Sequence, residues 1–562
     1  MIGLNKIGLN QVQLNRLRLN APFPAYGKMA GGGGSGDGFP VLPGDVTRWH
    51  FGGLTNEMMA AMDDPRIEDA DHKGRFLSFK NFAWKEGSGI SDIYPGALVF
   101  DGVDDYGVCN NFPILTKEKG YTVVALRQWD QDFLNTTLTG GLLSTRNYST
   151  REGVAFEKIE SSNKGYWNLG AGGIIDFAKS PFTWQTSKQY NNVGILKGDK
   201  NHGKPLCVGC GLSGGQQCGR FAIWELVFLD HDATEEELTK IKDYFVKTYP
   251  WLFPDQAWTI TGKTNEDEDR ATIANITGNG NDLVLSNFGF AEGSGYGLYA
   301  YNFNSFSLRD NTVKPTDVKK DSFRIIGTGD RGNVLVLSNV SNSADWKIRI
   351  TGMKDGDHLL AGNANKSGDY IKITKDGVYT FQKQYAANAT NGIWYNSSQE
   401  VDVLVEQIPE YEGYLITDGV DDEIISAKLI QFADKFTIVG DWKFMEDRND
   451  KAGLLKANQI YIYNATTGMR IYLKQGSRHY SFSCKKINAL TSDGWVYDEK
   501  WDKYKVYPIG SDIDISSRLF LGFYSSNFTK IALKNLGIYN DQLLSKDDCI
   551  KAYNYLQTLK AK

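Results

Sequence analysis

The chain has 562 residues, of which 41% are hydrophobic and 23% charged, enough for about three or four domains of ordinary globular composition. A formal net charge of −5, with no long basic run, gives no electrostatic ground for binding nucleic acid, and no apolar stretch approaches the roughly 20 residues of a membrane-spanning helix. Sixty glycines and 13% aromatic residues predict many turns between half-buried strands, hence a mainly β protein.

Residues 1–20 form four pentads, MIGLN, KIGLN, QVQLN and RLRLN. Apolar spacings of two and three alternate along them, which fits neither one helix face nor one flat strand. Short extended steps turning at each Asn fit the pattern. So short a segment cannot bury its own apolar side chains, so residues 1–40 are expected to anchor the chain to a partner. Residues 30–38 are a flexible Gly-rich linker. The N-terminus lacks the apolar core of a signal peptide, which predicts synthesis in a cytosol. On that ground the six cysteines, at 109, 207, 210, 218, 484 and 549, are expected to remain free of disulfides.

From residue 46 onward the chain reads as two related modules. Thr55-Asn56-Glu57 returns as Thr264-Asn265-Glu266, and Asn81 to Gly89 returns as Asn287 to Gly295, both ending Glu-Gly-Ser-Gly. The pentad Asp101-Gly-Val-Asp-Asp105 returns as Asp418-Gly-Val-Asp-Asp422. Asp-Gly beside strand-like sequence is a tight-turn signal, because Gly tolerates positive φ and Asp bonds its own backbone. The ends match as well: Leu206 to Cys210 with Leu519 to Phe523, and Phe221 to Asp230 with Ile531 to Asn540. Each final strand leads into a short helix, opened by Thr234-x-x-Glu237 or the weaker Ser545-x-x-Asp548.

The gap before the second pentad is longer by about 110 residues, the length of a small domain. It carries alternating segments and a predicted hairpin, Tyr370 to Phe381, turning at Asp376-Gly377. The expected organisation is an anchor and linker at 1–45, a first module at 46–253, a second at 254–300 plus 408–562, and a small β-sandwich inserted at 301–407.

Gly278 to Leu283, Phe100 to Tyr106, and a last strand before a short helix together resemble the laminin-G-like module. That family implies the concanavalin A-like lectin fold, a jelly-roll sandwich of two antiparallel sheets, here present twice. Glu423 in the second copy departs from the pattern, standing where the first has Tyr106. Phe100 to Trp129, with Gln407 to Gly413 ahead of the second pentad, resembles structural or appendage proteins of tailed phages that infect Bacteroides-type gut bacteria. The resemblance implies assembly into a virion in the host cytoplasm, contact with other virion proteins through residues 1–40, and a homo-oligomer, by analogy a trimer.

Asp101, Asp104, Asp105, Asp418, Asp421 and Asp422 are the candidate calcium ligands, calcium being a hard cation that takes six to eight oxygens; a turn alone also accounts for them. Cys207-x-x-Cys210 with Cys218 and His202 has zinc-like spacing, but Phe520 and Phe523 replace both cysteines in the second copy, which favours small buried apolar residues. There is no paired-carboxylate strand of the glucanase type and no phosphate loop. Trp129, Trp167, Trp184, Trp394, Trp442, Trp495 and Trp501 are candidates for stacking on sugars. The expectation is a non-enzymatic virion fibre or decoration subunit without cofactor, catalytic residue, nucleic-acid partner or membrane insertion. The alternative is an adhesin that binds host surface glycan.

Overall fold

The computed structural model describes residues 38–561 with internal interruptions, the longest being 187–204 and 298–313. The N-terminal pentads and almost all of the Gly-rich linker lie outside the described residues. The protein is mainly β. The chain divides into two compact units, ending and beginning at Phe253 and Pro254.

In the first unit one sheet runs Phe182–Thr186, Thr122–Trp129, Arg220–Leu229, Leu98–Asp101, Gly89–Ile90, with Val46–His50 also paired to Arg220–Leu229. The other runs Ile175–Asp176, Lys164–Trp167, Ala155–Lys158, Gly140–Ser144, Leu206–Val208, Tyr106–Cys109, Phe76–Lys80, Arg66–Glu68. One buried cluster draws on both sheets, among them Phe100, Val123 and Leu226 from the first and Leu77, Leu143 and Leu206 from the second. The two sheets therefore share a core, as in a sandwich. Arg220–Leu229 is buried almost throughout, because the helix Glu235–Thr248 covers its other face. Tyr244 from that helix bonds Glu225, and Phe245 packs edge-on against Phe182. A strand buried on both faces reads as a continuous apolar run rather than an alternation.

The second unit repeats this strand order, with Trp495–Asp498 and Lys503–Lys505 added at the edge of its first sheet. Its first sheet runs Ile487–Thr491, Phe436–Phe444, Ile531–Asn540, Leu415–Ile416, Gly295–Tyr296, with Gln256–Thr259 on the long final strand. Its second starts Thr272–Ile273, Leu283–Ser286, Glu423–Ser426, Phe520–Leu521, Ala452–Ala457 and continues through three more strands. Even the irregularities correspond. The register slips at Trp224, between Ile223 and Glu225, and at Lys534, between Leu533 and Asn535. A bulge of this kind adds one residue to a strand and re-aims its side chain. The helix Lys546–Gln557 covers this sheet; a β-carbon at Gly537 would lie 3.1 Å from Leu556, so the helix seats closely because that position is glycine.

Lys314 to Ile408 contributes a separate seven-stranded sheet. Phe323 and Ile325, Ile348 and Ile350, Val403 and Val405 are buried at alternate positions, as one covered face requires. The predicted hairpin does not form. Tyr370–Ile373 pairs with His358–Asn363, whereas Gly377–Phe381 pairs with Trp346–Thr351. Asp376 instead accepts a bond from Met353 N–H at 2.7 Å, and Gly377 lacks the positive φ a tight hairpin turn needs.

Candidate functional site

The two pentads build the same turn. Asp101 Oδ1 accepts from Val103 N–H at 2.8 Å and Asp104 N–H at 3.3 Å; Asp418 Oδ1 does so from Val420 at 2.7 Å and Asp421 at 3.3 Å. Gly102 and Gly419 both have φ of 78°, a conformation that glycine adopts without strain. The last aspartate folds back in each: Asp105 accepts from Asp101 N–H at 3.1 Å and Asp422 from Asp418 N–H at 2.6 Å. Asn81 and Asn287 hold the turns from outside, each donating at 3.0 Å to the carbonyl of Asp104 or Asp421. Ser294 donates to Asp422 at 2.9 Å.

Asp105 and Asp422 are buried. Burial pushes the Asp105 carboxyl up to about 7, against the pull of Ser88 and helped by the nearby Asp101 charge. Burial likewise pushes Asp422 up to about 6. In each pentad the three carboxylates come within 4.8 Å of one another. Oxygens of each set are already engaged: Asp101 and Asp105 each direct one at the loop's own amides, and burial disfavours the charge on the aspartate at the bottom. Three such groups also fall short of the oxygens calcium takes. The six aspartates are brought together as predicted, but as the framework of a turn.

The Thr-Asn-Glu match has a role that sequence reasoning left unassigned. Asn56 bonds both backbone groups of Ile90, at 2.7 and 2.8 Å. Asn265 does the same to Tyr296, at 2.8 and 3.2 Å. One carboxamide thus stands in for a pairing strand in both modules.

Cys210 and Cys218 face one another across a hairpin with Cα atoms 4.1 Å apart and are joined by a disulfide. This corrects the expectation of free cysteines throughout, which rested on compartment rather than geometry. It also removes both sulfurs from any zinc set, while burial raises the Cys207 thiol to about 12, far from the thiolate a metal binds. His202 lies outside the described residues.

Two buried polar clusters escaped detection in the sequence. In the first module Glu225 is fully buried and receives Tyr244 at 3.0 Å and Tyr249 at 2.9 Å; Arg48 lies 3.2 Å from it and His50 Nδ1 2.9 Å. In the second, Asp441 pairs with Lys486 at 2.7 Å and accepts from Tyr414 at 2.8 Å. Burial opposes the charge on Asp441, but Lys486 holds its carboxyl below the usual range. Both clusters lie between a sheet and its covering helix. Neither leaves an acid and a base flanking an open cleft, as glycoside hydrolysis needs.

Trp129 and Trp442 belong to the two cores. Trp495 and Trp501 are half-buried; the side chains of Trp167, Trp184 and Trp394 lie outside the described set. Lys503 and Lys505 sit 4.0 and 4.2 Å from the Trp495 ring.

No protein-family model matches the chain, and no curated protein does. Among solved structures, a Trypanosoma rangeli sialidase in complex with sialic acid is 12% identical, with a TM-score of 0.23, over 36% of this chain and 33% of that one. A mutant of that sialidase displaying trans-sialidase activity is 10% identical, TM-score 0.20, over 87% and 67%. The NanB sialidase from Streptococcus pneumoniae is 9% identical, TM-score 0.17, over 76% and 98%. The chain spans about a third of the first of these, and superposition this loose carries no inference about activity.

Proposed function

We propose that the protein is a non-enzymatic virion subunit, a fibre or decoration protein of a tailed phage. On this reading residues 1–40 attach it to other virion proteins, and its two lectin-like modules project outward. One observation carries the reading: in both modules the conspicuous polar groups are spent on architecture. The pentad carboxylates close a turn, and the buried ion pairs join neighbouring strands of one sheet, where a tyrosine of the covering helix bonds each pair. What is repeated is a scaffold rather than a reaction centre. Peptide mass fingerprinting of purified particles tests it. The chain should be recovered in stoichiometric amount, without release of reducing ends from host polysaccharide. A chain found only in the unassembled lysate fraction, or one that cleaves polysaccharide, overturns it.

A second reading, recognition of an anionic host surface glycan by the same projecting modules, draws on one surface of the second module, where lysine ammoniums stand over tyrosine rings.

A further inference from the structure

The hairpin closed by the disulfide recurs in the second module without it. In the first, Cys210–Leu212 and Gln216–Cys218 set Cys210 opposite Cys218. In the second, Phe523–Tyr524 and Asn527–Phe528 set Phe523 opposite Phe528. The backbone beside each pair is the same: Gly219 N–H donates to Gly209 O at 2.8 Å, and Thr529 N–H to Gly522 O at 2.9 Å. One hairpin is therefore cross-linked and its counterpart is not.

The cross-linked hairpin lies directly against the pentad turn. Cys210 Sγ is 3.6 Å from Asp105 O. A β-carbon at Gly209 would lie 2.9 Å from the same oxygen and collide with the Phe100 ring. A β-carbon at Gly141, on the strand Gly140–Ser144, would collide with the backbone of Cys210 and Gly211. The hairpin thus presses on both the pentad and that strand, and glycines let it seat. Asn81 grips the turn one residue earlier, at Asp104 O. The end of the pentad is held from two places, by a carboxamide and by a disulfide-bearing hairpin.

Three cysteines meet here, Cys207, Cys210 and Cys218. Cys207 is buried and burial holds its thiol far from ionisation, so exchange within the cluster is closed to it. Cys218 is 5% exposed and follows the exposed Gln217, whereas Cys210 is fully buried. The Cys218 sulfur is the one that a small thiol reaches first.

We propose that the Cys210–Cys218 disulfide is a redox latch on the pentad turn of the first module. A low-molecular-weight thiol attacks the Cys218 sulfur, forms a mixed disulfide there and releases the Cys210 thiolate, which takes up a proton. A second thiol molecule then displaces Cys218, so that two thiols are oxidised to one disulfide and both cysteines end as S–H. The freed hairpin lifts from Asp105 O and the turn opens locally, while the rest of the module stays folded. The second module, with Phe523 opposite Phe528, holds its turn whatever the redox poise.

The test is hydrogen–deuterium exchange of the full-length protein, read by mass spectrometry in native buffer with either reduced or oxidised glutathione. Reduction should speed amide exchange in Leu98 to Cys109 and in Leu206 to Arg220 at least about tenfold. It should leave the matching turn, Leu415 to Ser426, unchanged. Exchange in Glu235 to Thr248, the covering helix of the same module, should not move, which separates a local latch from a general loss of stability. Oxidised glutathione should restore slow exchange, except in Cys218→Ser, which cannot reclose. Alkylation of the reduced native protein should label Cys218 and spare Cys207. A disulfide that opens only in denaturant, exchange that rises equally throughout the first module, a turn whose exchange ignores reduction, or label on Cys207 overturns the proposal. Both redox states are compared in the unaltered chain, so a Cys218→Ser protein that misfolds leaves the test decisive.

Discussion

At the scale of single residues, the pentad shows how burial decides what a carboxylate does. Asp101 and Asp105 are four apart in sequence, yet one shapes an exposed turn and the other is sealed beneath it. The ordinary value for such a group is 3.8, and burial carries Asp105 to about 7 and Asp422 to about 6. The folded state therefore holds these protons more tightly than the unfolded chain. Their contribution to stability is complete below about pH 4 and is lost as pH rises through about 6 and then 7. Asp105→Asn with Asp422→Asn keeps a neutral acceptor for the turn amide and should flatten the decline in melting temperature across that window, by the equivalent of at least about 1 kcal/mol. An unchanged slope would refute the assignment. Millimolar calcium should leave the melting temperature unmoved, because the carboxylates are committed to the loop; a rise of several degrees would show the turn reading to be incomplete.

The recurrence of the pentad was legible in the sequence, and so was its turn. Its depth was not. Nothing in Asp-Gly-Val-Asp-Asp distinguishes the aspartate that faces solvent from the one beneath the loop. Nor were the buried pairs legible. Glu225 sits within Phe-Ala-Ile-Trp-Glu-Leu-Val, and its counterpart is Asn535, with the charge moved across the ladder to Asp441. A feature that changes strand between copies leaves no repeat to find.

At the scale of elements, the caps of the two closing helices differ in the reach of one carboxylate. Thr234 and Glu237 form a complete capping box. Ser545 accepts from Asp548 N–H, but the shorter Asp side chain bonds the Ser545 hydroxyl instead of reaching the backbone. Thr234→Ala should cost about 1 kcal/mol, whereas Asp548→Glu should raise stability by completing the second box. Equal effects of the two would contradict the geometry. The cross-strand disulfide closes a loop between residues eight apart, worth roughly 2–3 kcal/mol by loop entropy. Cys218→Ser or reduction should lower the first module's melting temperature and leave the second unaffected. The failed hairpin at Asp376-Gly377 belongs to the same scale. Its dipeptide was a sound local signal, but pairing was decided by which long strands stood on either side, and that information is not local.

At the scale of the whole molecule, two modules of one topology carry different sequences on a common framework. The shared residues lie at turns and clamps, where backbone geometry is demanding, while the bulge recurs in position with different residues. The cores and the buried ion pairs have diverged, because many packings satisfy one fold. Residues 38–253 and 254–562, produced separately, should each unfold cooperatively, since each has a core of its own; a first half without cooperative melting would mean that the division is not a division of stability. The claim that this scaffold serves a particle rather than a reaction is tested most directly by deleting residues 1–40 and measuring incorporation. The account predicts that the truncated protein folds, retains both modules and is absent from purified particles. Truncated protein found in particles at the level of the full chain would contradict it.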